Sequence, residues 1–329
     1  MANISSNGTG GGNWNAGASW GGTSPVAGDK VTILNGDDIT LTQDEAAGAV
    51  IINSGGTITG GGFEITLNDA AGTTYIFSSV GSGVAGKSAI EGILDIAITG
   101  GSTSRPINEA GTGGLNNLTI NNAQIYTMLY HINLSGNLTI TAGTLNTQHG
   151  GADKQLTVAG TTSISGTLIC NTSAITLGTG KTDGWALSIG TTGTFTGGSG
   201  THIIGSISTT AWGSPSITLS SGATTINSKY ISNGYSINCA AGTTFAHGGG
   251  SVIMTYAGST LIQFSGGTLA FNDFEYNASG HTLTLESPIS CAGDLYANAG
   301  TIDTKSAENN AITVTGNTRI GPASGGADQ

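Results

Sequence analysis

The stretch GNLTITAGTLNTQ, residues 136–148, decides the fold because its side chains change character at almost every step. Leu138 and Ile140 fall on one face of an extended chain and the polar residues around them on the other, which is the period of a β-strand. The strand stops at Ala142-Gly143 and resumes for only four residues. Such short segments, separated by a single glycine corner, indicate a chain that turns a corner instead of reversing in a hairpin.

An internal repeat extends this pattern over much of the chain. Residues 115–164 and residues 271–320 run in step, with only single-residue slips. Three short segments carry the match: Gly136-Asn137-Leu138 with Gly293-Asp294-Leu295, AGTLNT at 142–147 with AGTIDT at 299–304, and LTVAGTTSI at 156–164 with ITVTGNTRI at 312–320. The two copies share the apolar alternation and the glycine corners, whereas their outward residues differ. This is expected of structural units that stack on one another through their inward faces.

These patterns predict an all-β fold, a single-stranded parallel β-helix (solenoid) with a short N-terminal cap. Leu, Ile and Val ladders spaced about 4.8 Å apart would form its core, and glycine would occupy corners that need positive φ. With coils of roughly 20 to 25 residues, the chain makes on the order of 12 to 15 coils. We predict a cap segment at residues 1–30, the β-helix at 31–320 and a flexible C-terminal tail at 321–329.

Two tryptophans, Trp14 and Trp20, lie six residues apart, just before the first clear strands. The open end of a solenoid is an unpaired edge that has to be covered. We therefore interpret the two indoles as a plug over the first coil. An aromatic platform for carbohydrate is the functional alternative.

Composition excludes several classes of function. Charged residues make up 8% of the 329 residues, and the eight Lys and Arg are scattered, so no basic stripe is available for phosphates or anionic membranes. We predict no nucleic-acid and no membrane partner. No window approaches 18 consecutive apolar residues, and the first residues lack the pattern of a signal peptide. We therefore expect a protein that is made and assembled in the cytoplasm, or one that is released by lysis or by a leaderless route.

The N-terminal residues Gly12-Asn13-Trp14-Asn15, Ser19-Trp20, Pro25, Gly28-Asp29 and Val31-Thr32-Ile33 resemble the opening of repeat-rich bacterial and bacteriophage surface proteins. The later segments NLTINN, INLSGNLTITAGTLNT and LTVAGTTSI are similar to the repeating units of those proteins. The resemblance implies a right-handed parallel β-helix in an adhesin, a secreted surface protein or a phage appendage. It does not fix an activity, because one fold hosts many functions.

We interpret the protein as a structural element of a bacteriophage virion surface, as a capsid decoration or a head or tail appendage. Its expected partners are other copies of itself, in a homotrimer, and other virion proteins; its expected location is the virion surface. One alternative is a tailspike that binds or depolymerises a host surface glycan. Another is an adhesin of the bacterial cell surface, with an extracellular location.

An enzymatic function needs a constellation of catalytic groups, and glycan-cleaving β-helices use clustered carboxylates. The acidic doublets are Asp37-Asp38 and Asp44-Glu45, each interpreted as a solvated turn. Asp273 and Glu275 share one strand face at i and i+2, and the repeat carries Asn117 and Thr119 at the equivalent positions. This face is therefore interpreted as polar, and we predict no catalytic, cofactor-binding or metal site.

The histidines and cysteines follow no ligand spacing. The histidines are His131, His149, His202, His247 and His281, and we expect single solvent-facing or stacking side chains, with His247 and His281 at corners. The three cysteines, Cys170, Cys239 and Cys291, lie in apolar strand-like segments, so we predict buried free thiols.

The repeat pattern also bears on two further binding functions, calcium binding and ice binding. The glycine-rich nonapeptide series that binds calcium between β-roll turns is absent from the sequence. Flat Thr-x-Thr ladders are the basis of some ice-binding surfaces, and residues 39–42, 57–59 and 139–141 carry the motif. Their spacing is irregular, which disfavours ice binding.

Overall fold

The computed structural model describes residues 2–68, 73–79, 89–109, 114–210 and 213–321. The protein is all-β with about 1% helix, and its parallel strands stack as the coils of a β-solenoid of about 13 turns. The predicted fold class and number of coils are therefore confirmed. The predicted tail falls almost wholly outside the described residues, since its positions 322–329 are not among them.

The described residues form 37 strands, most of them three to five residues long, and one 3-10 helix at Gly17–Trp20. The strands of the first part of the chain are β1 Asn3–Ser5, β2 Gly11–Asn13, β3 Lys30–Ile33, β4 Asp38–Thr40, β5 Glu45–Ala47, β6 Ala49–Ile52, β7 Thr57–Thr59, β8 Phe63–Leu67, β9 Phe77–Ser79, β10 Ile90–Glu91, β11 Leu94–Ile98, β12 Arg105–Glu109, β13 Leu115–Met128, β14 Ile132–Leu134, β15 Leu138–Asn146, β16 Gln148–His149, β17 Ala152–Asp153 and β18 Leu156–Val158.

The strands that follow are β19 Thr162–Ile164, β20 Thr167–Ile169, β21 Ile175–Leu177, β22 Leu187–Ile189, β23 Thr194–Thr196, β24 His202–Ile204, β25 Ile207–Thr209, β26 Ser216–Thr218, β27 Thr224–Ile226, β28 Tyr235–Cys239, β29 Thr244–Ala246, β30 Ser251–Met254, β31 Thr260–Phe264, β32 Leu269–Phe271, β33 Asp273–Leu285, β34 Ile289–Cys291, β35 Leu295–Asp303, β36 Ile312–Val314 and β37 Thr318–Ile320.

The chain divides into two compact units, residues Met1–Gly160 with Gly166–Leu168 and residues Thr161–Ser165 with Ile169–Gln329. In the first unit, parallel pairing in register stacks five inward residues in one column, each at most 1% exposed: Val31, Val50, Phe77, Ile107 and Met128. Removing such side chains from water is the main force that holds the coils together, at about 25 cal/mol per Å² of apolar surface.

The second unit has the same construction. Its longest aliphatic column consists of Leu187, Ile207, Ile237, Ile262 and Leu285, all fully buried. Because each coil contributes only two or three inward residues per strand, no coil can bury its apolar face alone. The stack is therefore the unit of stability.

A ladder of Asn and Asp side chains, here called the Asx ladder, explains the repeated Gly-Asn-Leu and Gly-Asp-Leu segments. Oδ1 of Asp273 accepts a hydrogen bond from the backbone amide of Asp294 in the next coil, at 2.8 Å. Oδ1 of Asp294 accepts one in turn from the amide of Asn317, at 2.7 Å. The glycine before Asp294 is needed because a Cβ at Gly293 would lie 2.1 Å from Asp273 Oδ1.

The first unit repeats this arrangement. Oδ1 of Asn117 accepts the amide of Asn137 at 2.7 Å, and a Cβ at Gly136 would lie 2.4 Å from that oxygen. Asp95 begins the ladder, since its carboxylate accepts hydrogen bonds from the side chains of Asn116 and Asn117. The polar face at Asp273 and Asn117 thus satisfies backbone donors between coils.

The N-terminal segment begins the stack and also covers it. β1 pairs in parallel with β3, and β2 pairs in parallel with β4. Trp14 is fully buried and Trp20 is 6% exposed, with ring centroids 5.2 Å apart in an edge-to-face arrangement. The indole N–H of Trp20 donates to the carbonyl of Trp14. Residues of the predicted cap therefore supply paired strands as well as the covering rings, and the boundary at residue 30 stays a prediction.

We predict that Gly293→Ala destabilises the protein by roughly 1 to 3 kcal/mol, because the new methyl group overlaps the Asp273 carboxylate. Chemical denaturation of the purified variant measures the loss. Gly184→Ala is the control, since a Cβ there would lie 3.3 Å from the flexible Lys181 side chain and 4.0 Å from the hydroxyl of Thr161. If the steric account is right, Gly293→Ala costs clearly less in an Asp273→Ala background. Equal costs in both backgrounds would contradict it.

Candidate interaction surface

The two tryptophans singled out in the sequence do not form a carbohydrate platform. Sugar stacking needs an open ring face, and Trp14 and Trp20 are almost completely buried. Their burial agrees with the interpretation as a plug.

The first acidic doublet is not a solvated turn, so that interpretation was wrong. Asp37 is 1% exposed, and its carboxylate accepts the backbone amides of Gly8 and Gly10, both at 2.8 Å. Burial by itself raises the pKa of Asp37, but hydrogen bonds from the Ser6 hydroxyl and from these two amides outweigh burial and hold the pKa below its usual value. Asp37 therefore anchors the N-terminal loop.

The other acidic residues also have structural partners. Asp38 accepts the hydroxyl of Thr59, and the exposed Asp44 accepts the amide of Glu64. Glu45 begins β5, where burial, and secondarily the charge of Asp44, raises its pKa. In the second doublet, Asp44 is exposed and Glu45 is half-buried.

Asp273 and Glu275 lie on β33, as expected for residues that share a strand face. Asp273 belongs to the Asx ladder, and Oε1 of Glu275 accepts the side-chain amide of Asn298 in the next coil at 2.7 Å. Both carboxylates are thus engaged in holding coils together, which agrees with the interpretation of this face as polar.

Four of the histidines are at least partly exposed. His131 accepts the amide of Gln155, and His149 shares a hydrogen bond with the hydroxyl of Thr127. His247 occupies a corner, as predicted, and accepts the amide of Gly249. His281 also lies at a corner, as predicted, because β33 pairs with β30 before this residue and with β31 after it, and the neighbouring Gly280 has a φ of 75°.

His202 is the exception, because it is fully buried and stacks edge-to-face on Phe195 at 5.9 Å. It occupies an inward position of β24, between Ile175 and Thr224 in the neighbouring coils. Its two ring nitrogens and the hydroxyl of Thr224 make no hydrogen bond of normal geometry. Burial lowers the pKa of His202 to about 4, and the Gly197 backbone offsets this only in part.

The cysteines are buried free thiols, which confirms the prediction. Burial raises the pKa of Cys239 to about 12, and it raises the pKa of Cys291 to about 11 with a further contribution from the charge of Asp273. Burial also raises the pKa of Cys170. A thiol acts as a nucleophile or ligand only as thiolate, so these residues serve as small apolar side chains.

Threonine columns on the outside of the solenoid are short. Thr40 stacks on Thr59 in the next coil, but the neighbours beyond them in the column are Asn13 and Glu91. Within the part of the chain that the structure describes, His, Cys, Asp and Glu side chains do not gather in threes where a metal ion could be held.

The surface with the most distinctive chemistry lies at corners of the second unit. It consists of Trp185, Lys229, Tyr230, Ile231 and Tyr256, and we call it the aromatic corner. Trp185 lies in the loop between β21 and β22, the next three residues lie between β27 and β28, and Tyr256 lies between β30 and β31. These loops connect the same two strand columns in successive parts of the stack, so their side chains converge.

Ring contacts join the members of the aromatic corner. The rings of Trp185 and Tyr230 are 5.4 Å apart between centroids, at an interplanar angle of 59°. The ammonium of Lys229 lies 5.6 Å from the centroid of the Tyr256 ring, a cation–π distance. All three aromatic rings are half-exposed, and Ile231 is 60% exposed.

Hydrogen bonds hold these loops in place. The amide of Ile231 donates to the carbonyl of Thr182, and the hydroxyl of Ser228 donates to the carbonyl of Lys181. The ammonium of Lys229 donates to the carbonyl of Ser259 at 2.6 Å. The aromatic side chains are thus presented by ordered corners, so a partner would lose little conformational entropy in binding them.

The aromatic corner is suited to recognition. Trp and Tyr are enriched at protein interfaces and among the residues that contribute most to binding, and ring faces also stack on sugars. The sequence patterns singled out none of these residues. The signal in the sequence that could have identified them is that Trp185 and Tyr230 lie near Gly and Asn residues typical of corners and outside the alternating apolar segments.

No family model, curated protein or solved structure matches this chain. Among the described residues, none of the helical structure is long and apolar enough to cross a membrane.

We predict that the protein loses stability as the pH falls from about 6.5 to 4. The folded state depresses the pKa of His202 from 6.5 to about 4, so the unfolded chain binds more protons in this window. The loss at the lower end is about 3 kcal/mol. Thermal unfolding midpoints between pH 7 and pH 4.5 measure this slope.

The variant His202→Leu should flatten the slope, whereas the matched variant His131→Asn, at an exposed histidine, should leave it unchanged. An unchanged slope in His202→Leu would show that other groups cause the acid sensitivity.

Proposed function

We propose that the protein is a structural protein of a bacteriophage virion surface, either a capsid decoration or a head or tail appendage, that acts through protein contacts. The observation that carries this proposal is the aromatic corner, an ordered recognition surface on a scaffold of stacked coils. The proposal includes side-by-side association of three copies, a symmetry that closes without leaving a further free contact.

The physical case for protein contact is the chemistry of the aromatic corner. Trp and Tyr side chains bury 150–250 Å² each and dominate the energetics of interfaces. In a chain with only 6% aromatic residues, three such rings and an exposed isoleucine at one corner form a concentrated contact surface. The N-terminal resemblance at Gly12 to Ile33 supports a surface protein of either a bacteriophage or a bacterium.

Immunogold electron microscopy of phage particles from the source culture tests the location. We expect regular labelling on intact particles, and loss of labelled features when the gene is deleted. Labelling confined to the host cell surface would contradict the virion role and favour the adhesin. Analytical ultracentrifugation of the purified protein tests the trimer, with an expected mass of three times 32.4 kDa.

We predict that Trp185→Ala combined with Tyr230→Ala weakens incorporation into particles by about 30-fold or more, the effect of losing an interface hot spot. Quantitative mass spectrometry of particles assembled with the variant measures it. Tyr130→Ala is the control, since Tyr130 is 48% exposed and belongs to the first unit. Normal incorporation of the double variant, with an unchanged circular dichroism spectrum, would contradict the contact role of this surface.

The glycan-binding tailspike is a second candidate, because the half-exposed faces of Trp185 and Tyr230 also suit the apolar face of a sugar. Incubation with host polysaccharide, followed by assays of binding and of reducing ends, separates the two. Saturable binding that the double variant abolishes would favour a receptor protein. Release of reducing ends would favour a depolymerase.

A further inference from the structure

The charge of the chain restricts where two copies of it can touch. A net charge of −11 makes the copies repel each other. A contact between copies therefore needs a place where unlike charges meet beside exposed apolar side chains. Such a contact has two halves, a cation without a carboxylate partner and a carboxylate without a cationic partner.

The aromatic corner supplies the cationic half. The ammonium of Lys229 donates to the carbonyl of Ser259 and lies over the ring of Tyr256. Within the part of the chain that the structure describes, no carboxylate lies within ion-pair distance of it, whereas the ammonium of Lys181 pairs with Asp183 at 2.6 Å. An ammonium has three N–H donors, so Lys229 can donate to a carboxylate while its own loop holds it in place.

The first unit supplies the acidic half at a corner between β10 and β11. This corner, here called the acidic corner, consists of Glu91, Gly92 and Ile93. All three residues are exposed, and Ile93 is 54% exposed. Among the described residues, the carboxylate of Glu91 has no ion-pair partner.

Backbone hydrogen bonds hold the acidic corner in place. The amide of Gly60 donates to the carbonyl of Glu91 at 2.9 Å, and the amide of Gly62 donates to the carbonyl of Ile93 at 2.8 Å. The acidic corner is thus ordered, as the aromatic corner is. Two ordered surfaces lose little conformational entropy when they associate.

The two corners carry opposite charges at the same spacing from an exposed isoleucine. Glu91 precedes Ile93 by two residues, and Lys229 precedes Ile231 by two residues. Of the large apolar side chains that are exposed in the described ranges, only Ile93 has a carboxylate within two residues along the chain. The exposed apolar residues compared are Val26, Ile93, Ile125, Tyr130, Ile203, Ile231 and Ile320.

We propose that the aromatic corner of one copy binds the acidic corner of a second copy. The carboxylate of Glu91 accepts from the ammonium of Lys229, and Ile93 packs against the rings of Trp185 and Tyr230. The contact joins two different surfaces, so each copy offers one corner to each of two neighbours, and a closed ring of three copies uses every corner. The inference rests on the proposed function and identifies the surfaces that form its trimer.

Analytical ultracentrifugation of the full chain over a range of concentrations tests this contact. We expect Lys229→Glu and Glu91→Lys each to weaken association at least 10-fold, because like charges then meet. The double variant carrying both substitutions should restore association, since the pair is then reversed. Lys154→Glu, at a half-exposed lysine of the first unit, is the control and should leave association unchanged. Circular dichroism checks that each variant is folded.

Three results would overturn the inference: a wild-type chain that stays monomeric, a trimer that both single variants leave intact, or a double variant that associates as weakly as the single variants. In the second and third cases the trimer forms through other surfaces. The labelling of intact particles depends on none of these results, so the virion role and this contact fail separately.

Discussion

Parallel pairing in register is the constraint on which the rest of the structure depends. When each residue stacks on its equivalent about 4.8 Å away, an inward position stays inward in every coil and an outward position stays outward. The aliphatic columns follow directly from this, and so does the Asx ladder, in which one side chain satisfies the amide of the next coil. The environment of a residue in this fold is set by the residues stacked above and below it in its column. Those residues are far away in the sequence.

The fold could be predicted because its evidence is local and repeated. The alternation around Leu138 and Ile140 defines the strand, and the match of Gly136 with Gly293 identifies the corner that recurs. The reason for that glycine lies in the coil below, where Asn117 or Asp273 occupies the space of a Cβ. The recurrence of the glycine could therefore be found in the sequence, but the steric reason for it could not.

The side-chain environments were harder to predict because they arise between coils. Asp37 looks like a loop residue in sequence, but it is buried beneath backbone amides from nearly 30 residues earlier. His202 sits on an alternating apolar strand, yet its two ring nitrogens lack good partners in the core. In the aromatic corner, Trp185 contacts Tyr230, which lies 45 positions further along the sequence. This separation depends on the length of the coils and on corner loops of unequal length.

The most direct test of register is disulfide formation between outward residues of adjacent coils. Thr119 and Thr139 are register partners on β13 and β15, and Thr141 lies two residues further along the same strand. With cysteine at 119 and 139, mild oxidation followed by mass spectrometry should reveal an intramolecular disulfide in most molecules. The 119 and 141 pair should stay reduced, because its Cα separation of about 8 Å exceeds disulfide reach. Crosslinking of the second pair in preference to the first would contradict parallel stacking in this register.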